Sequence, residues 1–175
     1  MEKPGKRQSL IKSLIIIKFK EAQMKKYFSI LLLIFITISV SAQVSVRSKE
    51  FNLDKGVAIQ GYDPVAYFTE SKAVKGDKKL AAIADGVTYY FSSSANKNLF
   101  LKEYKKYEPQ YGGWCAYAMG ASNEKVEIDP ETFKVVNGKL YLFYHSFVNN
   151  TLLKWNKNES VLKANADKNW STIFK

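Results

Sequence analysis

Cysteine and histidine are almost absent from this sequence. The 175 residues include one cysteine, Cys115, and one histidine, His145. A lone cysteine excludes an intramolecular disulfide framework and any motif built on paired cysteines, such as a zinc knuckle or a dithiol redox site. A catalytic zinc site ordinarily uses three protein ligands, so it is excluded too unless carboxylates contribute. Special chemistry in this chain therefore has to involve a single thiol and its neighbours.

Arginine is also scarce, which limits what the formal net charge of +11 can mean. Arg7 and Arg47 are the only arginines, and arginine is the residue that best recognises phosphates and guanine edges. Residues 1–42 carry eight of the 27 basic groups and two of the 16 acidic groups, so the rest of the chain is only mildly basic. We therefore predict no nucleic-acid partner.

No hydrophobic run is long enough to span a membrane. The longest, residues 27–40, is shorter than the roughly 20 residues that a bilayer requires. Two lysines precede it, and the small residues of Val40-Ser-Ala42 follow it. This arrangement predicts a signal peptide that starts at Met24 and is cleaved after Ala42, with residues 1–23 as upstream sequence. The protein would then be exported, periplasmic or secreted, with no stable membrane span after processing; a retained anchor is the alternative.

Two pairs of turn residues predict the fold. Asp85-Gly86 and Asn137-Gly138 each separate two apolar runs, which is typical of β-hairpins with two-residue turns. Helical spacing follows each hairpin, over residues 92–107 and again from residue 148 onwards, and a last helix is predicted from about residue 160. The sequence thus predicts an α+β domain of two β-hairpins, each followed by a helix and packed as one small domain.

The predicted domain covers residues 57–175, after the upstream segment and signal peptide of residues 1–42. Residues 43–56 are predicted to be a leader, and residues 43–52 within it are either mobile or an edge strand. Within the domain, Asp63 precedes Pro64, and this order favours a short helix with Asp63 as its N-cap. The second post-hairpin helix is predicted to place Val148, Leu152 and Trp155 on one face.

The two hairpin segments also resemble one another. At an offset of 52 residues, Gly86, Tyr89 and Phe91 meet Gly138, Tyr141 and Phe143. Further matches follow in the helical segments: Ser94 with Ser146, Asn98 with Asn150, Leu101 with Leu153, and Lys102 with Lys154. One interpretation is a ββα unit present twice about a pseudo-twofold axis. The other is shared secondary structure in a chain rich in Lys, Asn and Leu.

The uncharged segment YGGWCAYA, residues 111–118, joins the two halves and contains Cys115. Three interpretations of Cys115 are open: a buried structural thiol, a ligand to a soft metal or haem-like cofactor, or a redox-active thiol. His145 and Met119 are the candidate companion ligands for copper(I). Met119 stands four residues after Cys115, so both would share a face of a helix.

Two further kinds of site are possible. A small-molecule pocket could be lined by aromatic, small and acidic residues, namely Tyr62, Asp63, Tyr67, Tyr111, Gly112, Gly113, Trp114 and Tyr117. The alternative is that these residues fill the core. An enzyme would instead use Cys115 as nucleophile and His145 as base, with Asp63 or Asp129 to orient the histidine.

Three segments resemble the YHS-domain family in its exported bacterial single-domain form. They are GYDPVAYF (61–68), GVTYYFS (86–92) and YEPQYGGWC (107–115). The resemblance covers residues 57–170 and implies a small α+β domain with a proposed role in binding copper or another soft metal. Metal-associated members carry a cysteine where this chain has Ser92, and a hydroxyl is a poor ligand for soft metals.

The leading hypothesis is therefore an exported, non-enzymatic binding protein for a soft metal ion such as copper, held by Cys115 with His145 or Met119. The alternative is a module that binds a small molecule or a protein without metal, in which Cys115 is structural. A thiol enzyme is the third.

Overall fold

The structure is a computed structural model that describes residues 18, 20–21, 23–28, 44 and 46–173. The chain divides into two compact units, Met1–Gln43 and Val44–Lys175. In the first unit, residues 23–28 are helical. Most of the apolar run of the predicted signal peptide, and its cleavage site after Ala42, lie outside the described residues. Among the residues described, no helix is both long and apolar enough to cross a membrane.

The second unit is a mixed α+β domain, as predicted. Its strands are β1 (Leu53–Asp54), β2 (Val57–Ala58), β3 (Asp77–Ala84), β4 (Val87–Phe91), β5 (Asp129–Val136), β6 (Lys139–Phe143), β7 (His145–Ser146) and β8 (Asn149–Asn150). Its α-helices are α1 (Ala66–Thr69), α2 (Ser94–Lys102), α3 (Tyr104–Tyr107), α4 (Ala116–Ala121), α5 (Thr151–Lys157) and α6 (Glu159–Ser171). Short 3-10 turns cover Ile59–Gly61 and Gln110–Gly113.

Both predicted hairpins are present. Strands β3 and β4 pair antiparallel around Asp85-Gly86, and β5 and β6 pair around Asn137-Gly138. All four turn residues have positive φ, the backbone geometry that matches the twist of a two-residue hairpin. The first hairpin belongs to a four-stranded sheet of order β1-β2-β4-β3, whereas β5-β6 and β7-β8 are separate pairs.

The predicted leader is not a leader over most of its length. Residues 46–50 are helical, Phe51 and Asn52 are buried, and β1 pairs with β2. The Arg47 guanidinium forms an ion pair with Glu108, 61 residues away, and lies 4.4 Å from the centre of the Phe51 ring. Contacts between residues that are distant in the sequence produce no local hydrophobic periodicity. The sequence pattern therefore did not indicate that this segment belongs to the domain.

Two helix predictions also need correction. The helix predicted to run to Tyr107 breaks at Glu103, which leaves the helical region (φ −147°, ψ 54°) and separates α2 from α3. Val148 does not lie on a helix, because the hairpin β7-β8 intervenes and α5 begins only at Thr151. Val148 is 88% exposed, whereas Trp155 is fully buried as expected.

The 52-residue offset recurs in the backbone of the two hairpins. The bounds of β5 and β6 follow those of β3 and β4 at that offset. Each hairpin also receives a parallel neighbour at equivalent positions, Val57 beside Thr88 and Pro109 beside Leu140. The offset does not extend to the helices, because α2 begins three residues after β4 and α5 begins eight residues after β6. Whether a twofold axis relates the halves stays a prediction.

The backbone conformation also repeats in the segments that precede the short helices α1 and α4. Residues 59–61 and residues 111–113 are two runs of three consecutive left-handed residues, again 52 positions apart. This places Asp63, which follows the first run, at the same relative position as Cys115, which follows the second.

Close packing of α4 against α6 depends on Gly120. A Cβ added there would lie 2.3 Å from the carbonyl oxygen of Leu162, a backbone atom that cannot move aside without displacing α6. We expect Gly120→Ala to lower the free energy of unfolding by about 1–3 kcal/mol, as measured by urea denaturation. Ala121→Ser, at an exposed position of the same helix, is the control and should change it by less than about 0.5 kcal/mol. Equal stability of the two variants would contradict this account.

Candidate functional site

The Cys115 thiol is completely buried and fully hydrogen-bonded. Its sulfur accepts the backbone N–H of Tyr144 at 3.3 Å and lies 3.4 Å from the Thr151 hydroxyl oxygen. The Thr151 hydroxyl donates its one proton to the Tyr144 carbonyl oxygen, at 2.7 Å. Because that proton is already used, the thiol is placed to donate to Thr151. Cys115, Tyr144 and Thr151 thus form a closed ring of hydrogen bonds.

Asp63 plays the corresponding part in the first half of the domain. One carboxylate oxygen accepts the N–H groups of Val65 and Ala66, as expected of a capping side chain, although the N-cap residue of α1 is Val65 and not Asp63 as predicted. The other accepts from Ser92, just after β4, and from the Asn96 amide. Cys115 likewise precedes a short helix and accepts an N–H from the residue just after β6. Both side chains thus tie a helix start to the end of a hairpin.

Ser92 lies in this first network, away from the partners of Cys115. Its hydroxyl donates to Asp63 at 2.6 Å, in addition to the bond from its backbone N–H at 2.8 Å. Ser92 therefore has a hydrogen-bonding role, which a hydroxyl performs better than a thiol because it is the stronger donor.

The other candidate metal ligands do not join Cys115 through contacts that the structure shows. His145 is on the surface, with its side chain 44% exposed and Nδ1 3.3 Å from an Asp129 carboxylate oxygen. Met119 is buried in the cluster around Trp155, whereas Cys115 packs in the cluster around Phe100. Within the described part of the chain, no three His, Cys, Asp or Glu side chains are grouped to hold a metal ion.

The expectation that Cys115 and Met119 share a helix face is wrong for a local reason. Cys115 is the N-cap of α4, with a ψ of 114°, so it is outside the helix whose spacing the rule assumes. The Met119 N–H does donate to the Cys115 carbonyl oxygen at 3.0 Å. The backbones of Cys115 and Met119 are therefore one helical turn apart, but their side chains pack in different hydrophobic clusters.

Most of the residues predicted to form an aromatic pocket fill the core instead. Tyr67 and Tyr111 are buried, and their hydroxyls donate to the Pro130 carbonyl oxygen and the Asp167 carboxylate. Trp114 donates to the Glu50 carbonyl oxygen, and the predicted site also includes partly buried Tyr62 and Tyr117. A Cβ at Gly112 would meet the rings of Trp170 and Phe51. Gly113 and Asp63 are buried as well.

A pocket that the sequence did not indicate lies between the second hairpin and the α5–α6 junction. It has a volume of about 740 Å³, which is within the range of roughly 300–1,000 Å³ for small-molecule sites. Three lysines line it, together with two asparagines, a serine, a glutamate, a valine and one aromatic residue: Lys139, Lys157, Lys163, Asn137, Asn158, Ser160, Glu159, Val136 and Tyr141.

Tyr141 is the unusual member of this pocket. Its side chain is 1% exposed and packs between Tyr111 and Trp155. Among the described residues, no group forms a hydrogen bond with its hydroxyl, and Tyr141 lines the pocket. Burial raises the pKa of Tyr141, and the charge of Lys163 offsets part of that rise. The phenol is therefore protonated near neutral pH and has an O–H to donate.

The four charged groups around Tyr141 differ in how well they are paired. Glu159 is bound to Lys134 at 2.6 Å, and this contact lowers the pKa of Glu159. Lys163 is bound to Asp167 at 2.6 Å. Lys139 and Lys157 form no ion pair with any described residue, so their charges are available to a ligand.

Comparison with known proteins finds no matching protein-family model, no similar curated protein and no similar solved structure.

Proposed function

We propose that this chain is a non-enzymatic binding module for a small organic molecule, in which Cys115 is a structural residue. The observation that supports this proposal most directly is the closed hydrogen-bond ring of Cys115, Tyr144 and Thr151. A thiol that is 0% exposed and hydrogen-bonded to two residues of its own chain is poorly placed to meet a substrate or a metal ion. The pocket beside Tyr141 supplies a cavity of suitable size elsewhere in the same domain.

The soft-metal hypothesis needs more rearrangement. Binding of copper(I) would require the thiolate, and therefore loss of the proton that Cys115 donates to Thr151. It would also require a second ligand to enter a site that is closed to solvent. We retain it as the competing proposal because it makes a distinct prediction, namely one copper ion per chain bound through Cys115.

Export of the protein is part of the proposal, and it is compatible with the complete burial of the Cys115 thiol. The predicted signal peptide would deliver the domain to an oxidising compartment, where an accessible cysteine is readily oxidised or paired. Cys115 is 0% exposed, so a single thiol could persist there without a partner. Fractionation of cells and N-terminal sequencing of the exported protein would test this directly, with Gln43 expected as the first residue.

Copper titration distinguishes the two proposals. We expect the folded protein to take no stoichiometric copper(I) from the bis-bicinchoninate complex, and we expect Cys115→Ala, His145→Gln and Met119→Leu to behave like the parent chain. The thiol should react with a disulfide reagent only as fast as the protein unfolds. One copper equivalent per folded chain that is lost in Cys115→Ala would overturn the proposal in favour of the metal site.

The alanine variant has an expected effect of its own. Removing the sulfur leaves the buried Tyr144 N–H without an acceptor, so Cys115→Ala should lower the free energy of unfolding by about 1–3 kcal/mol. Thermal denaturation of both chains, in the presence of a reductant, measures that loss. It also shows whether the variant is folded under the conditions of the copper titration.

A further inference from the structure

The kind of ligand that suits the pocket beside Tyr141 can be inferred from the first half of the domain, where the corresponding tyrosine has hydrogen-bond partners within the protein. Tyr89 stands at the equivalent position of the first hairpin, 52 residues earlier, and is also fully buried. Its hydroxyl donates to a carboxylate oxygen of Glu108 at 2.7 Å, and the Glu108 charge is balanced by Arg47. In that half of the domain, a buried phenol, a carboxylate and a cation form one complete network.

In the second half, no carboxylate of the described residues accepts from the Tyr141 hydroxyl, and Asp167 is held by Tyr111 and Lys163. Tyr141 brings an unpartnered O–H donor to the pocket, and Lys139, Lys157 and Lys163 bring positive charge. Glu159 is the one carboxylate that lines the pocket, and Lys134 already holds it. The start of α6 adds backbone N–H donors, because its N-cap, Asn158, makes no side-chain capping bond. The unpaired charges that line the pocket are therefore the cations of Lys139 and Lys157, and Tyr141 adds a hydroxyl donor.

We propose that this pocket binds a small organic anion, whose carboxylate or phosphate oxygen accepts the Tyr141 hydrogen bond and takes the place that Glu108 occupies beside Tyr89. Lys139 and Lys157, whose charges are unpaired among the described residues, neutralise the charge of the ligand. Asn137 and Ser160 provide hydrogen bonds for hydroxyl groups on the rest of the molecule. The ligand is therefore a hydroxylated acid or a phosphate ester. This assignment rests on the proposed function as a small-molecule binding module.

Calorimetric titration with a matched set of compounds tests the proposal. Gluconate and glucose 6-phosphate carry the anion on a hydroxylated carbon chain, glucose is the uncharged match, and inorganic phosphate and sodium chloride are the ion controls. We expect the two organic anions to bind at millimolar concentrations or below, and glucose not to bind. We also expect affinity to fall as salt is added, because the charges of the site are exposed to solvent.

Tyrosine variants separate binding from stability. Tyr141→Phe removes a hydroxyl with no partner in the protein, so it should leave the unfolding midpoint unchanged and weaken anion binding by about tenfold or more. Tyr89→Phe removes the same atom from the filled network, so it should lower the midpoint and leave binding unchanged. A merely structural role for Tyr141 would give the opposite result.

Lysine variants test the charge. The double variant Lys139→Met/Lys157→Met should abolish measurable binding. Lys102→Met should not affect binding, because Lys102 is an exposed lysine of α2 with no ion pair among the described residues.

Failure of both organic anions to bind, or binding that survives Tyr141→Phe and the double lysine variant, overturns the proposal. Binding of inorganic phosphate as tight as that of glucose 6-phosphate overturns the assignment of an organic ligand. The copper experiment is independent of all these outcomes.

Discussion

Asp63→Ala should lower the free energy of unfolding by at least about 3 kcal/mol, because it leaves buried donors without an acceptor. Asp63 is 0% exposed. Five hydrogen bonds converge on its carboxylate, from the N–H groups of Val65 (2.8 Å), Ala66 (3.4 Å) and Ser92 (2.8 Å), the Ser92 hydroxyl (2.6 Å) and the Asn96 amide (2.8 Å). These bonds join the start of α1 to the end of β4 and the first turn of α2.

The isosteric Asp63→Asn variant shows how much of this effect depends on the acceptor. An amide has one oxygen, so either the α1 donors or the Ser92 and Asn96 donors must face an NH₂ group. We expect a loss of about 2 kcal/mol or more. Urea denaturation followed by tryptophan fluorescence measures both variants. Asp54→Ala is the matched control because Asp54 is exposed, and it should change stability by less than about 0.5 kcal/mol. A similar effect at both aspartates would refute the network.

The hairpins and the Asp63 cap could be predicted from the sequence because local chemistry specifies them. Asp85-Gly86 and Asn137-Gly138 tolerate the positive φ that a two-residue turn demands. Asp63 before Pro64 indicates a helix start for similarly local reasons. The hairpin β7-β8 was missed because its turn residues are Phe147 and Val148, which carry none of those signals.

Long-range packing explains the other omissions. Arg47 finds Glu108 only in the folded chain, so nothing near residue 47 indicates that residues 46–50 belong to the domain. In the sequence, Tyr141 looks like any other aromatic core residue of a strand. It differs from Tyr89 because a carboxylate bonds to the hydroxyl of Tyr89 and none bonds to that of Tyr141. This difference depends on which helix packs nearby, α3 in the first half and α6 in the second.

The expected alignment of the Cys115 and Met119 side chains is wrong, whereas metal binding itself stays a prediction. The sequence places Cys115 and Met119 four residues apart, and a helix would align them. Because Cys115 caps the helix and does not lie within it, spacing alone gives the wrong geometry. Cys115 stands 52 residues after Asp63, and the hydrogen bond that each accepts from the residue just after a hairpin favours a structural role for Cys115.

Glu108→Gln should destabilise the protein by about 3–5 kcal/mol, because it leaves the buried Arg47 guanidinium without a counter-charge. Both side chains are nearly enclosed, with relative exposures of 10% and 11%. Burial alone would lower the pKa of Arg47, but the hydrogen bond and charge of Glu108 outweigh it and raise that pKa. Arginine is effectively always protonated in proteins, so Arg47 stays charged in the variant even though the raising effect of Glu108 on its pKa is gone. Glutamine keeps an oxygen for the Tyr89 hydroxyl, so the loss reports mainly on the ion pair.

A double-mutant cycle with Arg47→Met separates the ion pair from its surroundings. Methionine keeps an unbranched apolar chain against Phe51, so Arg47→Met/Glu108→Gln should recover at least about 1 kcal/mol relative to Glu108→Gln alone. Hydrogen exchange should show faster opening of residues 46–52 in Glu108→Gln than in the parent chain, since Arg47 anchors this segment to α3. Additive effects of the two substitutions, or unchanged exchange at 46–52, would mean that the segment is held by Phe51 packing and not by the buried charge pair.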